Sequence, residues 1–237
     1  MNIKLECLNC LFKQVLEASR MVTDNNQKIK KVLDEYAKKI PEISLKETAP
    51  SISQKIHNLI KEQLQVEDPY REFKNRHIML AKKVYPLAEK YINKSSEPIK
   101  NALIISATGN SIDSGINLNI DIKKAFKQGV NRGFAFSNYS IFKNKLKNAS
   151  NLLIIGDNCG EAVLDKLLIK KIKSLYNLKV IYAVRSHPIL NDITLKEARE
   201  IKINEICDVI ESGSKAPGTI LNQTTSEFQK VFFNSDI

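Results

Sequence analysis

The chain is short of cysteine. Four in 237 residues are too few for a disulfide scaffold, so the expected compartment is a reducing one, the cytoplasm. It also lacks any run near the roughly 18 uncharged apolar residues that a spanning helix needs, which excludes an ordinary membrane span and a membrane partner. The opening stretch MNIKLECLNCLFKQ sets Glu6 and Lys13 too close together for the apolar heart of a signal peptide, so secretion is not expected. Arginine is scarce as well, with 6 among 37 basic residues. A formal net charge of +11 invites a nucleic-acid reading, but arginine is the usual bidentate reader of phosphates and bases. The excess is also even: residues 1–100 hold 19 Lys and Arg against 13 Asp and Glu, and residues 101–237 hold 18 against 13. No tail or stripe results. The reading is a solvated lysine-rich surface with no nucleic-acid partner and a modest attraction for small anions. Neither G-x-G-x-x-G nor G-x-x-x-x-G-K-[ST] occurs, which removes the dinucleotide fingerprint and the Walker loop.

What is present is enough to fold. Hydrophobic residues make up 43% and charged residues 27%, a balance that supports a buried core and argues against disorder. The pattern divides near residue 100. Before it, apolar residues recur at helical spacing: Leu8, Leu11, Phe12, Val15 and Val22 form one stripe, and Ile29, Val32, Leu33, Tyr36 and Ile40 another. Pro41 and Pro50 bracket a connection, Ile52 to Leu64 reads as a short helix, and Tyr70 to Ile92 as a longer one kinked at Pro86. Residues 1–100 are expected to form a helical region. A helix starting near Pro98 is expected to end near Ala107, followed by a polar loop from Thr108 through Gly109, Asn110 and Asp113 to Gly115. Amphipathic segments follow around 120–130 and 138–148.

From residue 151 the period changes. Asn151 to Ile155, Lys179 to Val184 and Asp208 to Ile210 are short apolar runs alternating with helical segments at 161–176, from Leu195, and from Thr225 to Phe233. Short runs buried on both faces, separated by helices, predict a parallel sheet with helices on both sides. The fold class is therefore α/β, a helical region followed by a three-layer, Rossmann-like α/β/α sandwich over 101–237. In such sheets ligands bind beyond the carboxyl ends of the strands. All three runs end in polar clusters there: Gly156-Asp157-Asn158, Arg185-Ser186-His187 followed by Asn191-Asp192, and Glu211-Ser212-Gly213-Ser214.

Asp157 and Asn158 put two oxygen donors on a tight turn, and Asp192 can add a third. Two carboxylates and one amide leave positions for water and a phosphate oxygen, the way Mg²⁺ or Mn²⁺ is held in phosphate chemistry. The competing reading is a turn that caps the next helix. Glu161 either favours the helix dipole or orients a water. Gly156 and Gly160 permit close approach of a ligand. The strand end does not read Asp-x-Asp, which speaks against an aspartyl-phosphate intermediate. Cys7-x-x-Cys10 lacks a second ligand pair for a structural zinc. Its readings are helix-face packing, a second metal site, or a redox pair. His187 is a general acid–base candidate or a loop residue, while His57 and His77 are surface or packing residues.

In order along the chain, Cys7-x-x-Cys10, Gly109-Asn110-x-x-Asp113, Gly156-Asp157-Asn158-Cys159-Gly160-Glu161, Asn191-Asp192-x-Thr194, and Ser212-Gly213 with Pro217-Gly218-Thr219 resemble the Domain of Unknown Function 89 family, the damage-control phosphatases. The C-x-x-C is similar to the subgroup common in archaea and bacteria. The resemblance implies a helical region on an α/β/α sandwich and metal-dependent hydrolysis of phosphate monoesters of small, often damaged, metabolites. It implies a divalent cation (Mn²⁺, Co²⁺, Ni²⁺ or Mg²⁺) on Asp157, Asn158 and Asp192. Asn110, Asp113, Glu161 and Asn191 would line the site, with Glu161 or Asp113 orienting the attacking water and Arg185 meeting the phosphate. It further implies a later strand and a lysine-bearing phosphate loop beyond Phe233 to Ile237, so the chain is expected to lack a C-terminal segment of the family. Three rivals are an S-adenosylmethionine-dependent carboxyl methyltransferase, against which stands the missing glycine-rich loop after the first strand, a non-catalytic metabolite-binding remnant, and a C-x-x-C redox protein.

Overall fold

The computed structural model describes residues 2–113 and 122–237, the side chains of 111–113 and 122–126 excepted. The chain opens with α1 (Leu5–Val22), α2 (Asn26–Lys39), α3 (Ala49–Leu64) and α4 (Arg71–Asn93). Local chemistry sets their starts. The Asn25 Oδ1 accepts the N–H groups of Gln27 and Lys28 at 3.0 and 3.1 Å, capping α2. Thr48 caps α3 by accepting the Ser51 N–H, with Pro50 in the first turn where its missing N–H costs nothing. That cap begins the helix three residues ahead of the expected Ile52. The apolar stripes then close on one another: Leu11, Val15 and Ala18 of α1, Val32 and Tyr36 of α2, and Ile52, Ile56 and Ile60 of α3 form one buried cluster that reaches Tyr70.

Next come α5 (Pro98–Asp113), α6 (Ile122–Arg132) and α7 (Tyr139–Leu146). Here the structure corrects the sequence reading. The polar stretch from Thr108 to Asp113 is the last part of α5 and not a loop. The Thr108 hydroxyl donates back to the Ile104 carbonyl at 2.7 Å, a bond made within the helix and not in a competing turn. Gly109 lies against the backbone of Glu161, where a Cβ would sit 2.7 Å from its Cα. Close packing overrides weak propensity. Ser114 and Gly115, the end of the expected loop, lie outside the described residues.

The remaining elements are β1 (Asn151–Ile155), α8 (Cys159–Leu175), β2 (Lys179–Val184), α9 (Leu195–Glu200), β3 (Asp208–Glu211) and α10 (Ser226–Asn234). The strands form a parallel sheet in the order β1-β2-β3, in register at Ile155 with Ala183 and at Ala183 with Ile210. The second buried cluster joins Ile78, Ala81 and Val84 of α4 to Ile105 of α5, Leu164 and Ile169 of α8, and Val180 and Tyr182 of β2. The last residues run beside β1: the Leu153 N–H donates to the Ile237 carbonyl at 2.9 Å, and the Asp236 carboxylate accepts from Ser150 and Asn151 N–H at 2.8 and 3.1 Å. The architecture is a helical bundle followed by a parallel sheet flanked by helices, an α/β/α sandwich. Among the described residues no helix is long and apolar enough to cross a membrane.

Candidate active site

The carboxyl edge of the sheet is laced together by backbone. The segment after β2 turns at Leu190, whose φ is +46°, an uncommon conformation for a bulky residue and a mark of local strain. It then returns to the sheet. The Ile193 N–H donates to the Asp157 carbonyl at 2.8 Å, the Cys159 N–H to the Asn191 carbonyl at 2.9 Å, and the Arg185 N–H to the Ile193 carbonyl at 2.9 Å. Asn158 and Asp192 stand opposite one another in an antiparallel bridge. Residues 34 positions apart are thereby held side by side by main-chain hydrogen bonds.

The side chains follow. Arg185, 2% exposed, sets its guanidinium between the two acids. Nε donates to Asp192 Oδ2 at 2.7 Å, Nη2 to Asp157 Oδ1 at 3.4 Å, and Nη1 to Thr219 Oγ1 at 2.9 Å. Asn158 Nδ2 donates to Asp157 Oδ2 at 3.3 Å. Asn158 occupies the cap position of α8, yet its side chain makes no capping hydrogen bond. Asp192 is buried, whereas the Asp157 side chain is half open to solvent. Burial pushes the Asp192 carboxyl up to about 6; Arg185 opposes the rise, Asp157 adds to it, and the Gly218 N–H, which the carboxylate accepts, opposes it. Gly218 takes φ +87°, which favours glycine at this turn.

Gly156, just before this pair, lies under the Tyr182 ring, and a Cβ there would meet ring atoms at 2.5 to 2.6 Å. Behind the ring lies a group that the sequence reading missed. Asp165 of α8 accepts from Tyr182 Oη at 2.7 Å and from Ser106 Oγ at 2.5 Å. It is buried, and burial pushes its carboxyl up to about 6 against the pull of the two hydroxyls. The signal was available as a carboxylate among buried Ala162, Val163, Leu164 and Leu168 on one helix.

A cleft of 660 Å³ opens beside these residues, between the strand-end loops and the helical bundle; Asn158, Asn191, Asn110 and Cys10 line it. Asn110 is exposed on α5, and Glu161 is half-buried in the first turn of α8. Asp113 closes α5 in backbone, and its side chain lies outside the described residues. Cys10 is exposed, and Cys7 accepts the Lys4 N–H at 3.3 Å. His187 is exposed, while His57 and His77 are buried packing residues. Among the described residues no group of three His, Cys, Asp or Glu side chains is gathered closely enough to hold a metal. The oxygen donors gathered at the sheet edge are instead two carboxylates and an amide. All are hard ligands of the type that Mg²⁺ and Mn²⁺ accept, and the acids already share one positive group, the Arg185 guanidinium.

Comparison with known proteins gives a consistent picture. Residues 3–237 match the family described as Damage-control phosphatase ARMT1-like domain. A damage-control phosphatase of Archaeoglobus fulgidus is 31% identical over 243 residues, spanning 100% of this chain and 83% of the relative. An uncharacterized protein of Methanocaldococcus jannaschii is 30% identical over 99% of this chain and 79% of its own. The crystal structure of a DUF89 family protein from Pyrococcus horikoshii has the same fold, with a TM-score of 0.91 at 24% identity, covering 100% of this chain and 83% of that one.

Proposed function

The chain belongs to the damage-control phosphatase (DUF89) family, and on that premise we propose that it hydrolyses phosphate monoesters of small phosphorylated metabolites with a divalent cation held by Asp157, Asn158 and Asp192. The observation that carries the reading is the backbone-fixed meeting of Asn158 with Asp192, together with an Asn158 side chain not used as a cap. When bound, such an ion supplies Lewis-acid stabilisation of charge on the phosphoryl oxygens. Mn²⁺, Co²⁺, Ni²⁺ and Mg²⁺ are the candidates.

The chain's own residues take the other roles. Glu161, or Asp113, accepts a proton from the attacking water. The water oxygen bonds to phosphorus, the ester P–O bond breaks, and the leaving alkoxide takes up a proton; the products are an alcohol and inorganic phosphate. Asn110 and Asn191, both on the cleft wall, hydrogen-bond the substrate. Arg185 fixes the orientation of both acids, with one nitrogen on each, and is the group proposed to meet a phosphate oxygen. The test is hydrolysis of an aryl phosphate with each of the four ions. The expected outcome is metal-dependent turnover that Asp157→Ala lowers by about two orders of magnitude or more. Absence of turnover with all four ions, or unchanged turnover in the variant, overturns the reading.

A further inference from the structure

Resting on the phosphatase reading, we infer that the alcohol half of the substrate is an uncharged and largely apolar body, an aromatic or branched aliphatic alcohol, and not a sugar, a polyol or a group with a second anionic charge. The cleft runs from Asn158 and Asn191 to α1, α3 and α4, and its far wall presents Leu11, Met21, Tyr70 and Phe73, with Leu190 of the strand-end loop also lining it. Tyr70 and Phe73 stand edge to face, with ring centroids 6.1 Å apart. Flat apolar surface of this kind suits a ring or a branched chain.

Charge points the same way. Among the described residues lining the cleft there is no lysine or arginine, and the one charged group is Glu17. Two cations on the neighbouring helices are engaged elsewhere. Lys61 of α3 donates to the Pro188 carbonyl at 2.5 Å. Lys74 of α4 is fully buried against Asp68 at 3.0 Å and Glu197 at 3.5 Å. His57, edge to face with Tyr70 at 5.5 Å, is buried and held down to about 4 by that burial, so it brings no charge near neutral pH. Glu17 is paired with Lys13 of α1 at 3.6 Å, so the charge at this wall is already balanced, and a second phosphate or a carboxylate on the substrate would have to compete with Glu17 for that lysine.

Polar recognition is thin as well. Binding of a polyol needs several convergent donors and acceptors, and two of the polar groups in this wall satisfy one another, the Ser53 hydroxyl donating to Gln14 Oε1 at 3.2 Å. The leaving group is then recognised by shape and apolar contact, with the polar contacts concentrated at the phosphate end.

The experiment compares kcat/KM of the full chain with Mn²⁺ on three primary phosphate monoesters: 2-phenylethyl phosphate, its 4-carboxy derivative, and glycerol 1-phosphate. The first is expected to exceed glycerol 1-phosphate by about tenfold or more, the scale of burying one ring, and the carboxylated ester by about tenfold, the scale of desolvating a carboxylate against an apolar wall; Phe73→Ala is expected to narrow the first ratio. The wild-type comparison stands without the variant, should Phe73→Ala fold poorly. Glycerol 1-phosphate or the carboxylated ester matching the phenylethyl ester overturns the inference while leaving the phosphatase reading intact. Hydrolysis of the aryl phosphate but of none of the three overturns this inference alone; hydrolysis of neither, with any of the four ions, overturns the phosphatase reading and this inference with it.

Discussion

At the scale of single residues, the site rests on positions where one atom more or one charge less has a calculable effect. Gly156 is the tightest. A methyl group there must displace the Tyr182 ring, whose hydroxyl is fixed by Asp165. Gly156→Ala should destabilise the fold by about 1–3 kcal/mol, measured by urea unfolding. Asp165 makes a pH-dependent prediction. Its carboxyl stands at about 6 in the folded state, above the ordinary unfolded value of about 3.9. Between those values the folded state holds more protons than the unfolded one, so lowering the pH through that window stabilises the wild-type fold. Relative to Asp165→Asn, which cannot take up that proton, the wild type should gain stability as pH falls from about 7 to about 4.5. Equal slopes of unfolding free energy against pH in the two proteins would contradict this. Asp157, Asn158 and Asp192 could be picked out from sequence because the end of a parallel strand is where ligands bind, so three polar clusters after three apolar runs point at one edge. Asp165 could not be given a role that way. Its partners Ser106 and Tyr182 come from different elements, and only the packing of α5 and β2 against α8 brings them to it.

At the scale of elements, the strands were legible nearly to the residue, because short apolar runs that stop at polar clusters have sharp ends. Asn151–Ile155 and Lys179–Val184 coincide with their apolar runs, and β3 extends one residue further, to Glu211. The α5 terminus was not legible. Its Thr-Gly-Asn sequence carries turn chemistry, and the contact with α8 that overrides it joins residues more than fifty positions apart. A second long-range device ties the helical bundle to the sheet. Lys74 of α4 is fully buried and meets Asp68 and Glu197. Glu197 in turn accepts the N–H of Thr194 at 3.0 Å, and Thr194 bridges to Arg185. Lys74→Met leaves a buried acid without its counter-ion and should cost about 3–5 kcal/mol of stability. Adding Glu197→Gln to that variant should recover part of the loss, and a double-mutant cycle on urea unfolding reads the coupling. A coupling of zero would show that the pair does not join the two parts.

At the scale of the whole molecule, the net charge of +11 is spread evenly along the chain, as a solvated lysine-rich surface with a modest attraction for small anions requires. Family membership and fold follow from the full-length match, and the activity proposed from them depends on one assembly. Asp157 is the place to test it, because its side chain is 47% exposed and can change without emptying the core. The measurement is a calorimetric titration of Mn²⁺ into the metal-stripped wild-type chain and into Asp157→Asn. The account predicts one equivalent bound by the wild type and at least tenfold weaker binding by the variant, about 1.4 kcal/mol or more. Binding of equal strength in both, or none in the wild type, would contradict it.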